Sequence, residues 1–241
     1  MPKTQAAAYS EAVAAAQSLG ASRATMLQAI HRFRGISLHP DLEAEIELGD
    51  QSAFEDWVSS SARVKLAIGI LDKIKDRGDK VLIFLESKAA QRALSAGLVM
   101  RYGLDEEPMI INGEVPGSER QPMVDRFQTA RSGFDSMILS PREAGIGLTI
   151  TAANHVVHLS RWWNPAVEDQ CNDRVYRIGQ DKPVQVHIPM AIHPGYGQAS
   201  FDIMLDSLLR RKRALSHGLL APPEADSDIE DLFRTVVGTL P

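Results

Sequence analysis

Three short apolar runs constrain this chain more than any other feature: "VLIFL" at 81–85, "SMIL" at 136–139 and "HVVHL" at 155–159. Each reads as a strand covered on both faces, because a half-exposed strand would alternate polar with apolar residues. "MII" at 109–111 and "VQVHIPM" at 184–190 predict two more strands. Between these runs the apolar period becomes helical. Val64, Ala67, Ile68, Leu71 and Ile74 share one face, and Gly78 closes that helix. Further helices are predicted from Lys88 to Tyr102, from a Ser118 cap with Met123, Val124 and Phe127 inward, and over 199–216. Strands alternating with helices imply right-handed crossovers and a parallel sheet.

The first sixty residues have another character. "AAAYSEAVAAAQ" has high helix propensity, and "MLQAIHRFRGISLHP" reads as a helix ending near Gly35 and Pro40. The organisation expected is a helical segment over 1–60, an α/β lobe over 61–220 and a partly flexible acidic tail over 221–241, in which "IEDLF" docks back. The chain has 241 residues, 44% of them hydrophobic, enough for a packed core. A formal charge of −5 excludes a globally basic coat protein, so a polyanion would have to meet a local patch. A single cysteine, Cys171, excludes a disulfide framework or cysteine-rich zinc site and fits a reducing compartment. No apolar run approaches ~20 residues and no signal peptide opens the chain, so it reads as soluble and intracellular.

The segment from Trp162 to Gln180 carries the densest chemistry. Asn164 and Pro165 read as cap and first helical position, Glu168 and Asp169 favour the positive end of the dipole, and Gly179 is the expected stop. On such a helix Gln170, Arg174 and Arg177 share one face. A solvated surface helix with Asp173 paired to Arg177 accounts for the same spacing. Upstream, Gly145 and Gly147 stand two apart after a buried strand, where glycine lets backbone N–H groups approach a phosphate closely. His155 and His158 have no partner acids or cysteines at metal spacing and read as packed side chains. At least one of Trp162 and Trp163 reads as core, Arg210 to Arg213 as a solvated helix end, and Cys171 has no adjacent base to make it a nucleophile.

The order of these blocks, a Gly loop, a strand, Trp-Asn-Pro, then Gln-x-x-x-Arg-x-x-Arg-Ile-Gly-Gln, resembles the second RecA-like lobe of the Snf2 family of superfamily 2 helicases. "LQAIHRFRGISLHP", "ARVKLAIGILDKIKDRGDKVLIF", "NGEVPGSERQPMVDRF" and "FDIMLDSLLRRKRAL" are similar to the family's flanking blocks, so the likeness runs from about Leu27 to Leu220. The chain departs from the family pattern at Glu143-Ala144-Gly145, at Thr149, at "LES" after the first strand and at "HPGYG" (193–197).

The resemblance implies an α/β fold, a RecA-like parallel sheet flanked by helices with an N-terminal helical extension. It implies one half of an ATP-driven motor on double-stranded DNA. No Gly-x-x-x-x-Gly-Lys-[Ser/Thr] occurs in the sequence, so ATP and Mg2+ are expected mainly on an N-terminal RecA-like lobe. The resemblance assigns Arg174 and Arg177 as catalytic arginine fingers, and Gln170, Gly145, Gly147 and Asp173 as nucleotide contacts. It assigns Asn112, Gly113, Ser140, Arg142, Thr151, Arg161 and Trp163 to DNA. Expected partners are duplex DNA, the N-terminal lobe and other proteins, with no membrane and no metal held by this chain. The expected location is the bacterial cytoplasm and nucleoid or the eukaryotic nucleus. The competing reading is a non-catalytic module of the same fold that binds DNA or protein.

Overall fold

The middle strand of the sheet, β1 (Lys80–Phe84), is buried along its whole length, as its unbroken apolar run requires. In the computed structural model, which describes residues 1–18, 22–130, 133–142, 147–218 and 225–238, it is joined by β2 (Met109–Ile111), β3 (Asp135–Leu139), β4 (His155–His158) and β5 (Gln185–His187). All pairs are parallel, in the order β2-β3-β1-β4-β5. The fifth strand is shorter than the sequence run, because pairing with β4 stops at His187 and Pro189 cannot donate to a ladder.

Alternation along each strand sorts the side chains into two layers. Val81, Ile83 and Leu85 pack with Ile138, Val157 and Leu159 against α3 (Gln51–Ser60), α4 (Ala62–Arg77) and α5 (Lys88–Tyr102). Leu82 and Phe84 turn the other way, to Met137, Leu139 and Val156, and meet α6 (Gly117–Thr129) and the 148–153 segment. Helix α4 starts on Ser61, whose hydroxyl accepts from Val64 N, and ends at Gly78 with φ +66°. Helix α6 departs from expectation: Pro116 holds the cap position and Ser118 lies inside the first turn.

A third apolar cluster forms a helical layer. It joins α1 (Lys3–Ser18), α2 (Arg23–Leu38), α8 (Phe201–Gly218) and α9 (Ala225–Gly238) through Tyr9, Val13, Phe33, Phe201, Leu205, Leu232 and Val236. The acidic tail thus contains a helix docked on the first helices of the chain. Among the described residues no helix is long and apolar enough to cross a membrane.

The strand order places a reversal between β1 and β4, since the connection leaving β1 runs toward one edge of the sheet and that leaving β4 toward the other. In open α/β sheets the crevice outside the carboxyl ends at such a point is the usual ligand position.

Candidate functional site

Helix α7 (Pro165–Asn172) begins as expected, with the Asn164 side chain accepting from Ala166 N at 3.0 Å. It ends well before Gly179. After Asn172 the chain tightens into overlapping turns, with Arg174 N donating to Cys171 O at 3.2 Å and Val175 N to Asn172 O at 3.0 Å. Tertiary contacts explain this. Val175 sinks into the apolar layer under the sheet, and Arg174 O accepts from Ile150 N at 2.8 Å, which pulls the segment onto residues 148–151. The expected single helical face of Gln170, Arg174 and Arg177 is therefore corrected: Gln170 is exposed on α7, and the arginines lie beyond its end.

The two arginines differ. Arg174 is 5% exposed; its Nη1 donates to Leu148 O at 3.1 Å and, among the described residues, its Nε has no partner. Burial first, then the charge of Arg177, depresses its pKa. Arg177 is exposed; its Nη1 donates to the Thr149 hydroxyl and its Nε to the carbonyl of Asp173, both at 3.0 Å. The contact expected with the Asp173 carboxylate is thus made to the backbone instead. Arg177 lines an open depression of about 840 Å³ with Thr149, Tyr176, Ile178, Gln180 and Lys182. Tyr176 and Ile178 are fully or largely exposed apolar groups on its rim. Gly147 has φ +51°, a conformation glycine adopts at no steric cost, just before Leu148. Gly145 lies outside the described residues.

The second group of expected residues gathers at the carboxyl ends of the strands. Gln91 of α5, which carries no motif in the sequence, ties them together. Its Nε2 donates to Leu85 O at 2.6 Å and to Ser140 Oγ at 3.0 Å, and its Oε1 accepts from Asn112 Nδ2 at 2.8 Å. Asn112 is buried, and its own Oδ1 accepts from Glu114 N at 2.9 Å. It shapes the loop rather than facing solvent, which corrects its expected place as a direct DNA contact. Gly113, next to it, is exposed. Thr151 is half-buried, its hydroxyl 3.4 Å from Gln128 Oε1.

Comparison with known proteins bears directly on this arrangement. Residues 63–179 match the family described as helicase conserved C-terminal domain. The Zorya protein ZorD of Escherichia coli is 36% identical over 217 residues, covering 87% of this chain and 19% of that protein. The putative ATP-dependent helicase/translocase YwqA of Bacillus subtilis is 34% identical, covering 77% of this chain and 19% of its own length. The C-terminal domain of the Sulfolobus solfataricus SWI2/SNF2 ATPase superposes with a TM-score of 0.67 at 26% identity, covering 98% of this chain and 94% of that one. The chain belongs to the Snf2 family, as its C-terminal RecA-like helicase lobe. It spans about a fifth of the length of the two bacterial relatives it matches.

Within this Snf2 lobe, Arg161 needs the clearest correction. Its side chain is 1% exposed and bridges Glu168 (2.7 Å) and Asp206 (2.8 Å), while Arg213 adds a second cation to Glu168 at 3.0 Å. Burial opposes the charge of Arg161, but the two carboxylates outweigh it and hold its pKa above the ordinary value. It locks β4, α7 and α8 together and offers no face to DNA. Arg142, by contrast, is 70% exposed. Trp162 is the buried member of the tryptophan pair, and half-buried Trp163 meets His31 edge-on at 5.7 Å. His158 donates through Nε2 to Asn172 Oδ1 at 2.9 Å and stacks on Phe84; His155 lies 3.0 Å from His187 Nε2. Burial pushes the Cys171 thiol up to about 12, away from thiolate chemistry.

Gln180 is the other residue whose role needed the structure. Its Nε2 donates to Thr151 O and Ala153 O at 3.0 and 2.7 Å, and its Oε1 accepts from Lys182 N. It fastens the turn that carries Arg177 to the sheet.

Proposed function

We propose that this lobe is one half of a motor that hydrolyses ATP and moves along duplex DNA, with the nucleotide and its Mg2+ held by a second, nucleotide-binding lobe. The observation that carries the reading is the placement of Arg177. It stands exposed at the edge of an open depression, braced by Thr149 and Asp173, and among the described residues its Nη2 has no acceptor.

The side chains lining that depression suit an anion. Among the described residues they include Arg177 and Lys182 and no carboxylate, although Lys182 also pairs with Asp79 at 2.6 Å. Phosphoryl transfer spreads negative charge over the transferred oxygens, and a planar, permanently charged guanidinium stabilises it. Arg177 would do this when the cleft between lobes closes, with Gln170 and Asp173 exposed on the same segment to help orient the nucleotide. The apolar rim of Tyr176 and Ile178 supplies surface for the second lobe to cover.

Arg174 has a different part in this reading from that expected of it. It is a positioning residue: buried against Leu148 O, it sets the height of the segment from which Arg177 projects. Gly113, Ser140, Arg142 and Thr151, at or near the strand ends, would follow the DNA backbone.

The test is steady-state ATP hydrolysis by the protein carrying both lobes, with and without duplex DNA. Arg177→Ala is expected to cut turnover by about 10³-fold with ATP affinity nearly kept, and Arg177→Lys not to restore it. Near-normal turnover in a folded Arg177→Ala protein would return this lobe to the class of non-catalytic binding modules.

A further inference from the structure

A cluster at the reversal point of the sheet is not accounted for by the reading above. Glu86 follows β1, and its backbone N–H donates to Ser160 Oγ after β4 at 2.9 Å. Its carboxylate is shared between two guanidiniums from different elements. Arg34 of α2 is in direct ion-pair contact with Glu86 Oε2, and Arg142, after β3, has its Nε 3.8 Å from Glu86 Oε1. Both guanidiniums lie over the ring of Trp162, their Cζ atoms 4.2 and 4.6 Å from its centroid. The indole is 9% exposed, and among the described residues its Nε1–H has no acceptor.

The two cations are held unequally. Arg34 is 12% exposed, so its charge needs a partner inside the protein. Burial first, then Arg63 and Arg142, lowers its pKa to about 10. Arg142 is 70% exposed and sits at the long limit of an ion pair, where little is lost on exchange. Arg63 has its own carboxylate in Asp202. Among the described residues Glu86 is the sole carboxylate paired with either Arg34 or Arg142, so the cluster keeps one surplus positive charge.

We propose that Glu86 is a built-in substitute for a DNA phosphate: it occupies Arg142 in the free lobe and yields it to a duplex backbone, so that this carboxylate limits DNA affinity. The inference rests on the assignment of Arg142 to the DNA side. It adds that the arginine is already engaged and that binding is an exchange. Arg34 keeps the carboxylate throughout, because it is the buried partner. Trp162 supplies an aromatic platform that keeps the Arg142 fork near its place when the carboxylate is released. Such an exchange lowers affinity for every duplex alike, since a phosphate carries no sequence information.

The experiment titrates a short duplex with this chain at several salt concentrations and compares Glu86→Gln with a charge-matched control, Glu11→Gln, at an exposed position of α1. Glu86→Gln is expected to bind about 5-fold more tightly near 50 mM salt than the control with a nearly unchanged log–log salt slope, because Arg142 meets the same phosphate in both complexes and only the cost of releasing the carboxylate is removed. Arg142→Gln should cost the parent chain at most about 2-fold but abolish the whole gain in the Glu86→Gln background. If Glu86→Gln unfolds the chain, Glu86→Asp keeps a carboxylate for Arg34 while withdrawing it from Arg142, and its gain should be about 2-fold.

Equal affinity of Glu86→Gln and the control overturns the proposal, as does a gain that survives loss of Arg142. Titration with ATP in place of duplex should not separate the variants; a gain for ATP alone would assign the cluster to nucleotide and overturn it. Binding by the parent chain that is indifferent to Glu86 removes only this inference. Absence of duplex binding in every variant at low salt removes the DNA assignment with it.

Discussion

Arg177 Nη1 donates to the hydroxyl of Thr149 at 3.0 Å, while Arg174, one turn earlier, directs its own Nη1 to the carbonyl of Leu148 at 3.1 Å. Neighbouring arginines thus brace neighbouring residues of one segment, the exposed one through a side chain and the buried one through the backbone.

Their losses should therefore be distinguishable in this chain alone. Arg174→Ala empties a buried position, leaves Leu148 O without its donor and is expected to cost roughly 1–3 kcal/mol of stability. Arg177→Ala removes an exposed hydrogen bond and should stay within about 0.5 kcal/mol of the parent. Urea unfolding of both variants checks this; equal losses would contradict the assignment of a positioning role to Arg174.

Glu168 faces Arg161 and Arg213 and is almost wholly buried. Glu168→Gln leaves Arg161 short of one of its two compensating carboxylates and is expected to destabilise by roughly 3 kcal/mol. Replacing Glu114, which pairs with Lys88 in solvent, should have no measurable effect. Midpoints from chemical denaturation separate the cases.

Acid should weaken the fold in two stages. Burial lowers the pKa values of His155, His158 and His187, so the folded state favours their neutral forms. The unfolded chain takes up those protons first, and this stability, full above about pH 6.5, is lost as pH falls. Glu168 follows: burial raises its pKa, the Arg161 contact outweighs that, and the net depression gives stability that is lost below about pH 4.5. Melting temperatures measured from about pH 7 down to about pH 4 should decline throughout, and a flat profile between pH 7 and 5 would contradict the burial of these histidines.

Two glycine-to-alanine changes in helices should have opposite signs. A methyl at Gly97 of α5 would overlap the buried ring of Phe54, so Gly97→Ala is expected to cost roughly 1–3 kcal/mol. Nothing lies within 4 Å of the corresponding position at Gly69 of α4. There Ala removes backbone freedom from the unfolded chain and should add up to about 1 kcal/mol. Thermal melts of the two variants decide it.

Much of this was legible in the amino-acid order. The strand runs stand out because burial on both faces leaves an unbroken apolar signature, and the caps at Gly78 and Asn164 fall where glycine or a short polar residue meets a periodic segment. The end of α7 was not legible. Local spacing continues a helix through Arg177, and only the pull of Ile150 on Arg174 and the burial of Val175 break it. For Arg161 and Asn112, assigned to DNA by resemblance, residue type alone cannot show the carboxylate 45 residues away or the amide 21 residues away that claims each. Gln91 gave no signal at all, and Gln180 stood out only as the end of the Ile-Gly-Gln block: a glutamine that satisfies backbone carbonyls looks in sequence like any solvated one.

The helical layer has a mechanical consequence. Helices α1 and α9, near opposite ends of the chain, meet in one apolar cluster with α2 and α8, off the sheet. Tension entering through α1 and leaving through α9 would cross that layer alone and would peel helices before any strand felt load. Force transmitted through α7, which is clamped to β4 and α8 by the Arg161 ion pairs, would instead bear on the sheet directly. Load would thus meet compliant helices near the ends of the chain and a braced helix at α7.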